Sequence, residues 1–344
     1  MKKIISVICI LATVFSLMAG MSVNSNALTD VWEKEPNSEE VQANAFKFGQ
    51  IMNANLTDIF DYDFFKITID TDVKFRLKFD HEYPYNINYD YWEVDIDRYN
   101  PSTGRYENCT GMTVGDFEST RRTEVITARA GEKFMISVWE NNGASPLDYM
   151  MTLEPVISKP TGLKCTARTT SAEKVAWNKV SGVTGYQVQC SDGGSNWAQN
   201  KVTTGNSAVF SGLVAGGKYK FRVRAYKKID GVNYFSAWSP TLNSCAKPAT
   251  VTLKGVSSPK HTQIKTTWAK AGGVVSGYQI YYGKNASFTL LAAKKNVSGK
   301  STTSYTGKNF TKGRPYYVKV RTYTVFNGVT YYGAWSATKK VKSK

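Results

Sequence analysis

An all-β protein built from three β-sandwich domains in series is the architecture that this 344-residue sequence predicts. Three observations support it. Apolar and polar residues alternate with a period of two along most of the chain, which is typical of half-buried strands. The twenty-residue stretch KFRVRAYKKIDGVNYFSAWS at 220–239 returns as YVKVRTYTVFNGVTYYGAWS at 317–336, which indicates two copies of one unit. Beyond the first 27 residues, only 38–46 has the pattern of a short helical turn.

The first 27 residues have the composition of a secretory signal peptide. Lys2 and Lys3 precede an apolar run at 4–19, and Ser25-Asn26-Ala27 follows as a cleavage site. A membrane anchor is the alternative, but the run is shorter than the ~20 residues that a spanning helix needs. No later segment is apolar enough to span a bilayer, and the basic C-terminus carries no anchoring signal. We therefore expect a secreted, extracellular protein that is either released or retained non-covalently at the cell wall.

The charge changes sign along the chain, close to two proline-containing linkers at 157–160 and 246–248. Residues 28–156 carry 12 Lys/Arg and 24 Asp/Glu, residues 157–247 carry 13 and 3, and residues 248–344 carry 17 and none. Such asymmetry favours separate domains with different partners. We take these three ranges as the domain boundaries, after a signal peptide at 1–27.

The repeated stretch predicts a β-hairpin in each of the last two domains. Along 219–225, aromatic and aliphatic residues that would face a core alternate with bases that would face water, and 316–322 repeats the pattern. The dipeptides Asp230-Gly231 and Asn327-Gly328 then predict tight type I′ turns, because that turn needs positive φ at both central positions. Each returning strand ends in Ala-Trp-Ser.

The remainder of the two units also aligns. Both contain an early-strand tryptophan, Trp177 or Trp268, and a G-Y-x-V/I strand, at 185–188 or 277–280. In both, a large apolar residue precedes a tyrosine by six positions: Leu213 before Tyr219, and Phe310 before Tyr316. On these residues, 157–247 and 248–344 each resemble the fibronectin type III domain. The resemblance implies two seven-stranded sandwiches, each with a tyrosine corner. The R-G-D tripeptide is absent, so it does not imply integrin binding by that route.

The first domain, 28–156, carries a different set of short motifs: E-K-E-P-N-S at 33–38, D-Y-D at 61–63 and A-G-E-K at 130–133. On these it resembles the bacterial pre-peptidase C-terminal domain, a jelly-roll β-sandwich whose relatives include the collagen-binding domains of clostridial collagenases. The resemblance implies a jelly-roll-like sandwich that binds a collagen-like or polysaccharide matrix.

Candidate ligands for calcium lie at the start of this domain. A hard cation prefers six to eight carboxylate and carbonyl oxygens, and alternate positions of an extended segment point to one side. The candidate residues are Glu33, Glu35, Asn37, Asp61 and Asp63. The resemblance implies Ca²⁺ at this place, although Ser38 occupies a position that is usually acidic. An acidic, solvated domain start is the alternative, and no other cofactor is required.

Tyrosines and acids alternate with apolar residues along 88–99. Trp92, Val94 and Ile96 would pack inward. The tyrosines of the outward face form a candidate ligand surface, which consists of Tyr89, Tyr91 and Tyr99. The alternative is ordinary cross-strand pairing of tyrosines on a sheet.

The basic residues of the last two domains form a candidate polyanion surface. It comprises Lys218, Lys220, Arg222, Arg224, Trp238, Lys319, Arg321 and Trp335. Cation–π stacking over the tryptophans explains some of these charges, but not a domain with 17 bases and no acid. Anionic cell-wall polymers or glycans are the partners we expect; no nucleic-acid motif is present, so sequence-specific base recognition is not expected. A merely soluble, high-pI surface is the alternative.

No residue pattern indicates catalysis. The only histidines, His81 and His261, lie in different domains, and the sequence has no G-x-S-x-G, Walker or H-E-x-x-H motif. We therefore expect a non-catalytic binding or adhesion protein. An accessory component of an extracellular protease or glycoside hydrolase system is one alternative, and docking of the acidic domain onto the basic pair is another.

Four cysteines remain beyond the signal peptide, namely Cys109, Cys165, Cys190 and Cys245. An exported protein can form disulfides. One bridge in the middle domain and no bridge at all both stay open, and spacing does not determine a pairing.

Overall fold

The structure is a computed structural model that describes residues 27–57, 60–81, 92–115, 119–140 and 147–344. Most of the predicted signal peptide, together with Tyr89 and Tyr91, lies outside these residues. The described residues form β-strands and one 3₁₀ helix, Glu40–Gln42, within the segment where a short helical turn is expected. The all-β prediction is confirmed. None of the described helical segments has the length and hydropathy of a membrane-spanning helix.

The first domain consists of two sheets packed face to face. Its described strands are β1 (Thr29–Trp32), β2 (Asn44–Ala45), β3 (Gln50–Leu56), β4 (Tyr62–Thr68), β5 (Val73–His81), β6 (Trp92–Asn100), β7 (Arg105–Val114), β8 (Thr120–Arg122), β9 (Ile126–Ala128), β10 (Lys133–Glu140) and β11 (Leu147–Pro155). One sheet has the order β1-β3-β11-β5-β8, with β9 also on β5, and the other β2-β4-β10-β6-β7. Trp92, Val94 and Ile96 are buried between them, as predicted.

The second domain is also a two-sheet sandwich. Its strands are β12 (Lys164–Arg168), β13 (Ala172–Ala176), β14 (Gly185–Ser191), β15 (Gln199–Thr203), β16 (Ser207–Ser211), β17 (Lys218–Ile229), β18 (Val232–Phe235) and β19 (Leu242–Cys245). The sheets have the orders β12-β13-β16 and β15-β14-β17-β18, and β19 also pairs with β17. The inward residues of β17, Tyr219, Phe221, Val223 and Ala225, are buried as the alternation predicts.

The third domain repeats this topology strand for strand. Its strands are β20 (Leu253–Ser257), β21 (Ile264–Trp268), β22 (Gly277–Gly283), β23 (Leu291–Ser298), β24 (Ser304–Gly307), β25 (Pro315–Phe326), β26 (Val329–Tyr332) and β27 (Lys339–Lys342). The sheets are β20-β21-β24 and β23-β22-β25-β26, with β27 also on β25. The repeated sequence therefore specifies the same sandwich twice.

Both units contain the tight turn and the tyrosine corner that the sequence predicts. Asp230 and Gly231 have φ of 48° and 82°, and Asn327 and Gly328 have φ of 45° and 76°, as type I′ turns require. In each tyrosine corner the hydroxyl oxygen accepts a backbone N–H, from Val214 to Tyr219 at 2.7 Å and from Thr311 to Tyr316 at 2.9 Å. These bonds fix the connection that crosses between the two sheets.

Each returning strand is divided into two, so that the sandwiches have eight strand segments rather than seven. Serine hydroxyls accept the central-strand N–H groups at the gap: Ser236 from Ala225 and Ser239 from Val223. Ser336 does the same for Val320. Because side chains replace the ladder bonds here, the Ala-Trp-Ser segment bulges, and its tryptophan lies over the outer face of the central strand.

Apolar and backbone contacts connect neighbouring domains. Ile229, at the tip of the β17–β18 hairpin, is buried in the core of the first domain. The Gly49 N–H donates to Tyr234 Oη at 2.7 Å. At the other junction, the Val274 N–H donates to the Ala215 carbonyl at 2.8 Å. Between described residues, no ion pair joins the acidic domain to the basic pair, so the structure does not neutralise the basic surface in that way.

Cys109, Cys165, Cys190 and Cys245 are all free thiols, so the bridge that the sequence left open in the middle domain is not formed. Two of them, Cys190 and Cys245, are buried. They lie on β14 and β19, on opposite sides of β17. Since neighbouring strands are ~4.8 Å apart, an intervening strand separates the two Cα atoms by more than a disulfide spans.

Candidate functional site

A ladder of alternating cations and aromatic rings covers the outer face of β17. The Arg222 guanidinium carbon lies 4.1 Å from the ring centre of Trp197 and 4.2 Å from that of Trp238. Arg224 lies 3.7 Å from Phe235 and 4.6 Å from Trp238. Strand alternation places both arginines on this face, and the bulged Ala-Trp-Ser segment brings Trp238 over them. We call these five side chains the first ladder.

The third domain builds a matching second ladder on β25. Arg321 lies 3.7 Å from Tyr332 and 4.3 Å from Trp335. The Lys319 ammonium lies 4.8 Å from Trp335 and 3.9 Å from Phe288. The candidate residues of the two repeats therefore occupy equivalent places, and the tryptophan of each repeat contacts both cations of its own domain.

The arginines of both ladders bond to neutral amides. Nε and Nη2 of Arg222 donate to Gln189 Oε1 at 2.9 and 2.7 Å, and Arg321 makes the same pair of bonds to Gln279. Arg224 Nε donates to Gln187 Oε1 at 2.7 Å. No described carboxylate forms an ion pair with these groups, so the ladders are ordered without being neutralised.

The pKa shifts of the ladder cations agree with positive charges that have no acidic partner among the described residues. Burial lowers the pKa of Arg222 and of Arg321. Burial first, and then the neighbouring Arg222, lowers the pKa of Arg224. The pKa of Lys319 is also lowered, by burial and then by Arg321. A nearby carboxylate would raise these values, and an anionic ligand would do the same.

The two remaining lysines of the candidate surface lie towards the junction of the second and third domains. Lys218 is exposed, and its ammonium lies 5.7 Å from the ring of Phe326 in the third domain. Lys220 is half-buried beside Asn243, its cross-strand neighbour on β19. The basic face thus continues from one domain to the next.

The predicted calcium ligands come together at one end of the first domain. One oxygen each of Glu33, Glu35 and Asp63 lie within 4.8 Å of one another. Asn37 joins them, because its Nδ2 donates to Glu33 Oε2 at 3.0 Å and its N–H to Glu35 Oε2 at 3.0 Å. We call these four residues the carboxylate cluster. Local spacing supplies three of them, and strand β4 brings Asp63.

Burial and repulsion between neighbouring carboxylates raise pKa values in this cluster. Burial, and then the neighbouring Glu33, raises the pKa of Asp63 to about 8. Burial is also the largest cause that raises the pKa of Glu33 to about 7. Tyr149 Oη donates to Asp63 Oδ2 at 2.5 Å. No described basic side chain forms an ion pair with the cluster, so its negative charge lacks a protein counterion.

The donor set fits a hard cation. Two buried oxygens, Asn37 Oδ1 and Asp63 Oδ1, accept no hydrogen bond, and such orphaned acceptors are rare in folded proteins. The cluster offers carboxylate and amide oxygens only, which Ca²⁺ prefers. Asp61 lies beside it, but Thr57 donates its N–H and hydroxyl to Asp61 Oδ2. The Ser38 hydroxyl donates to the other Asp61 oxygen, Oδ1, at 3.4 Å, so this serine forms a hydrogen bond with Asp61.

The tyrosine surface is described only at Tyr99. Its ring lies edge-on to Tyr106, its cross-strand partner, with a centroid distance of 5.4 Å. The Lys133 ammonium lies 6.0 Å from the Tyr99 ring. These contacts agree with cross-strand pairing, the alternative given above. Tyr89 and Tyr91 fall outside the described residues, so the ligand surface stays a prediction.

Sequence reasoning missed several ladder partners. Trp197 lies in a turn between β14 and β15, and Phe288 in the loop before β23, where neither spacing nor the repeat predicts an approach to β17 or β25. Gln187 and Gln279 could have been found, because both occupy the variable position of the G-Y-x-V/I strand. That position faces outward beside the arginines of the neighbouring strand.

Comparison with known families decides the affiliation of the last two domains. The profile of the fibronectin type III domain matches residues 158–241 and 247–337, just over half of the chain. The chain belongs to the fibronectin type III family. The two fibronectin type III domains are the second and third sandwiches described above, and they carry both ladders. The affiliation of the first domain stays at the resemblance given above.

Individual relatives are more distant. Chitinase A1 of Niallia circulans is 32% identical over 164 residues, which cover 43% of this chain and 22% of the chitinase. The chain thus matches about a fifth of that enzyme's length. A two-domain fibronectin type III segment of chicken tenascin is 17% identical, with a TM-score of 0.33, and covers 54% of this chain and all of the tenascin segment. The FN1–FN3 domains of chicken CNTN1 are 16% identical, with a TM-score of 0.31, and cover 73% of this chain and 91% of theirs.

Proposed function

We propose that this is a secreted, non-catalytic binding protein whose fibronectin type III pair associates with anionic cell-wall polymers or glycans. The observation that supports the proposal is the chemistry of the two ladders. Their guanidinium groups are ordered by amides and aromatic rings, none of which carries a negative charge. Because the side chains are already ordered, binding an anion costs little further conformational entropy.

Association of this kind depends strongly on salt. A polyanion that loses roughly five counterions on binding, with a slope of about −0.7 per contact, loses roughly a hundredfold in affinity between 50 and 200 mM salt. About five such contacts are consistent with the charge of the third domain, which has 17 bases and no acid.

The first domain would act as a ligand-binding module for a matrix or glycan, with Ca²⁺ at the carboxylate cluster. Glu33, Glu35, Asn37 and Asp63 would hold the ion. When bound, Ca²⁺ would supply the positive charge that the cluster lacks and would connect the N-terminal segment to β4. The orphaned oxygens of Asn37 and Asp63 support this assignment.

An accessory role in an extracellular glycoside hydrolase system is the second candidate. The partial match to a chitinase favours it, because a chitinase is a glycoside hydrolase and part of it is related in sequence to this chain. Under this reading the protein would bind near the substrate of a separate enzyme. Chitin or casein hydrolysis by the pure protein would contradict both candidates, since neither assigns catalysis to this chain.

The test is retention of the purified protein on isolated cell wall, on wall stripped of its anionic polymers, and on collagen, across 50–500 mM NaCl. We expect retention on intact wall that falls steeply with salt and little retention on stripped wall. A variant with Lys218→Gln and Lys220→Gln should elute at lower salt than one with Lys254→Gln and Lys265→Gln. The second pair removes two exposed charges from the sheet of the third domain that does not carry the second ladder. Retention that does not change with salt would contradict the proposal.

A further inference from the structure

A cleft of about 580 Å³ lies at the junction of the two fibronectin type III domains. The second domain contributes Trp197, Lys220, Thr241 and Asn243, and the hairpin tip of the third domain contributes Phe326 and Asn327. Trp197 is also the outermost ring of the first ladder, so Arg222 holds one of the cleft's walls in place. The cleft therefore continues the ladder towards the next domain.

A backbone hydrogen bond and a close backbone approach join the two domains that form this cleft. The Val274 N–H donates to the Ala215 carbonyl at 2.8 Å, and Thr324 Oγ1 donates to the Val274 carbonyl at 2.7 Å. The backbones approach so closely that a Cβ on Gly216 would lie 2.0 Å from the Val274 oxygen. Because the Val274–Ala215 bond joins the two domains directly, a ligand needs to order the two walls less on binding.

The chemistry of the lining is that of a saccharide site with one positive charge. Half-exposed rings of Trp197 and Phe326 offer apolar faces on which the C–H groups of a pyranose ring can pack. The exposed amides of Asn243 and Asn327 offer donors and acceptors for sugar hydroxyls. A few convergent polar groups on aromatic walls are typical of small-ligand clefts.

The charge selects an acidic sugar over a neutral one. Lys220 is the cation of the cleft, and no described acid lines it. Asp192, the nearest acid in sequence, lies outside the lining, on the turn before Gly193. An ammonium without a carboxylate partner favours a carboxylate or other anion on the ligand, through a charge-assisted hydrogen bond.

We propose that this interdomain cleft binds one unit of an acidic polysaccharide, a pyranose that carries a carboxylate. The inference rests on the proposed function, because it identifies the place and the ligand class by which the basic pair would recognise an anionic glycan. It differs from binding by diffuse charge, since Trp197, Lys220 and Asn243 act on a single sugar unit.

The probe is tetragalacturonate, with its fully methyl-esterified, uncharged counterpart as the matched ligand. Titrations of the whole protein at fixed 100 mM NaCl are followed by the ¹H–¹⁵N resonance of the Trp197 indole. We expect saturable shifts with the charged ligand and affinity at least tenfold weaker with the ester. Equal affinity for both ligands, or no shift of the Trp197 indole, would overturn the proposal.

Four variants separate the cleft from the general basic surface. Measured by isothermal titration calorimetry, which does not need the Trp197 indole, Trp197→Ala and Lys220→Gln should weaken tetragalacturonate binding about tenfold, and Asn243→Ala, at an exposed position that the fold does not need, about threefold. Lys254→Gln removes one exposed charge from β20 of the third domain, on the sheet that does not carry the second ladder, and should stay within about twofold. Equal losses for Lys220→Gln and Lys254→Gln would overturn the cleft proposal. Salt-sensitive retention of Lys220→Gln protein on cell wall would, in that case, leave the proposed function standing.

Discussion

The carboxylate cluster makes the stability of the first domain depend on pH in a direction opposite to that of most paired acids. The pKa values of Glu33 and Asp63 rise from 4.5 to about 7 and from 3.8 to about 8 on folding. Their contribution is therefore fully present below about pH 4 and is lost as the pH rises towards 7–8. Each proton that the folded state retains costs about 1.4 kcal/mol per pH unit over that window.

The magnitude follows from one retained proton between pH 5 and pH 7. Since Glu33 is only partly buried, solvent screening reduces the expected loss to about 1–2 kcal/mol. For a domain of this size that corresponds to a fall in Tm of roughly 5 °C without metal. Ca²⁺ at a hundred times its Kd would stabilise by about 2.7 kcal/mol, which more than reverses the fall at pH 7.5.

Asp63→Asn tests this account by differential scanning calorimetry. The amide can still accept the Tyr149 hydrogen bond, but it removes the charge that repels Glu33. We expect the variant, without metal, to match the wild-type Tm at pH 5, exceed it at pH 7.5 and show no response to Ca²⁺. Asp30→Asn, at an exposed position on β1, is the control and should behave like the wild type. A wild-type Tm that is constant from pH 5 to 7.5, with and without Ca²⁺, would refute the reasoning.

Three further predictions concern residues that support the second ladder and the domain junctions. Gln279→Met leaves the Arg321 guanidinium without its acceptor and should destabilise the third domain by about 1–3 kcal/mol in denaturant unfolding, whereas Gln42→Met, at an exposed position of the 3₁₀ helix, should cost less than about 0.5 kcal/mol; equal effects would contradict the ladder's role. Tyr234→Phe removes the acceptor of the Gly49 N–H, so hydrogen exchange at Gly49 should accelerate several-fold, and unchanged exchange would show that the interdomain bond is not made. Gly216→Ala combines a φ of +69° with a Cβ 2.0 Å from the Val274 oxygen; it should open the junction and increase the radius of gyration in small-angle scattering, while Gly212→Ala, which meets no atom within 4 Å, should strain only its own turn.

Most of the fold could be predicted because its determinants are local. Alternation along 219–225 gave the strand and its buried face, and Asp230-Gly231 gave the turn, since both depend on residues adjacent in sequence. The division of the returning strand was not foreseen. It depends on Ser236 and Ser239 bonding to a neighbouring strand, and nothing in their local sequence distinguishes such serines from exposed ones.

The candidate sites were predictable in composition but not in electrostatic state. Glu33, Glu35 and Asn37 follow from their spacing, yet the orphaned oxygens appear only when β4 brings Asp63 beside them. Similarly, the sequence places Arg222 on an outer face, whereas its acceptor Gln189 is 33 residues away. The cleft at the domain junction has no sequence signal, because its walls come from four separate segments of the chain.

By itself, the sequence determined the strands, their buried faces, the repeated topology and the accumulation of positive charge in the last two domains. These follow from periodicity and composition, which need no knowledge of distant contacts. Only the tertiary structure decided that the arginines are ordered by neutral partners, that no ion pair between described residues joins the acidic domain to them, and that four oxygen-bearing side chains converge without a basic partner among the described residues. Charge compensation depends on distances of a few ångströms between residues far apart in the chain, and folding alone sets those distances.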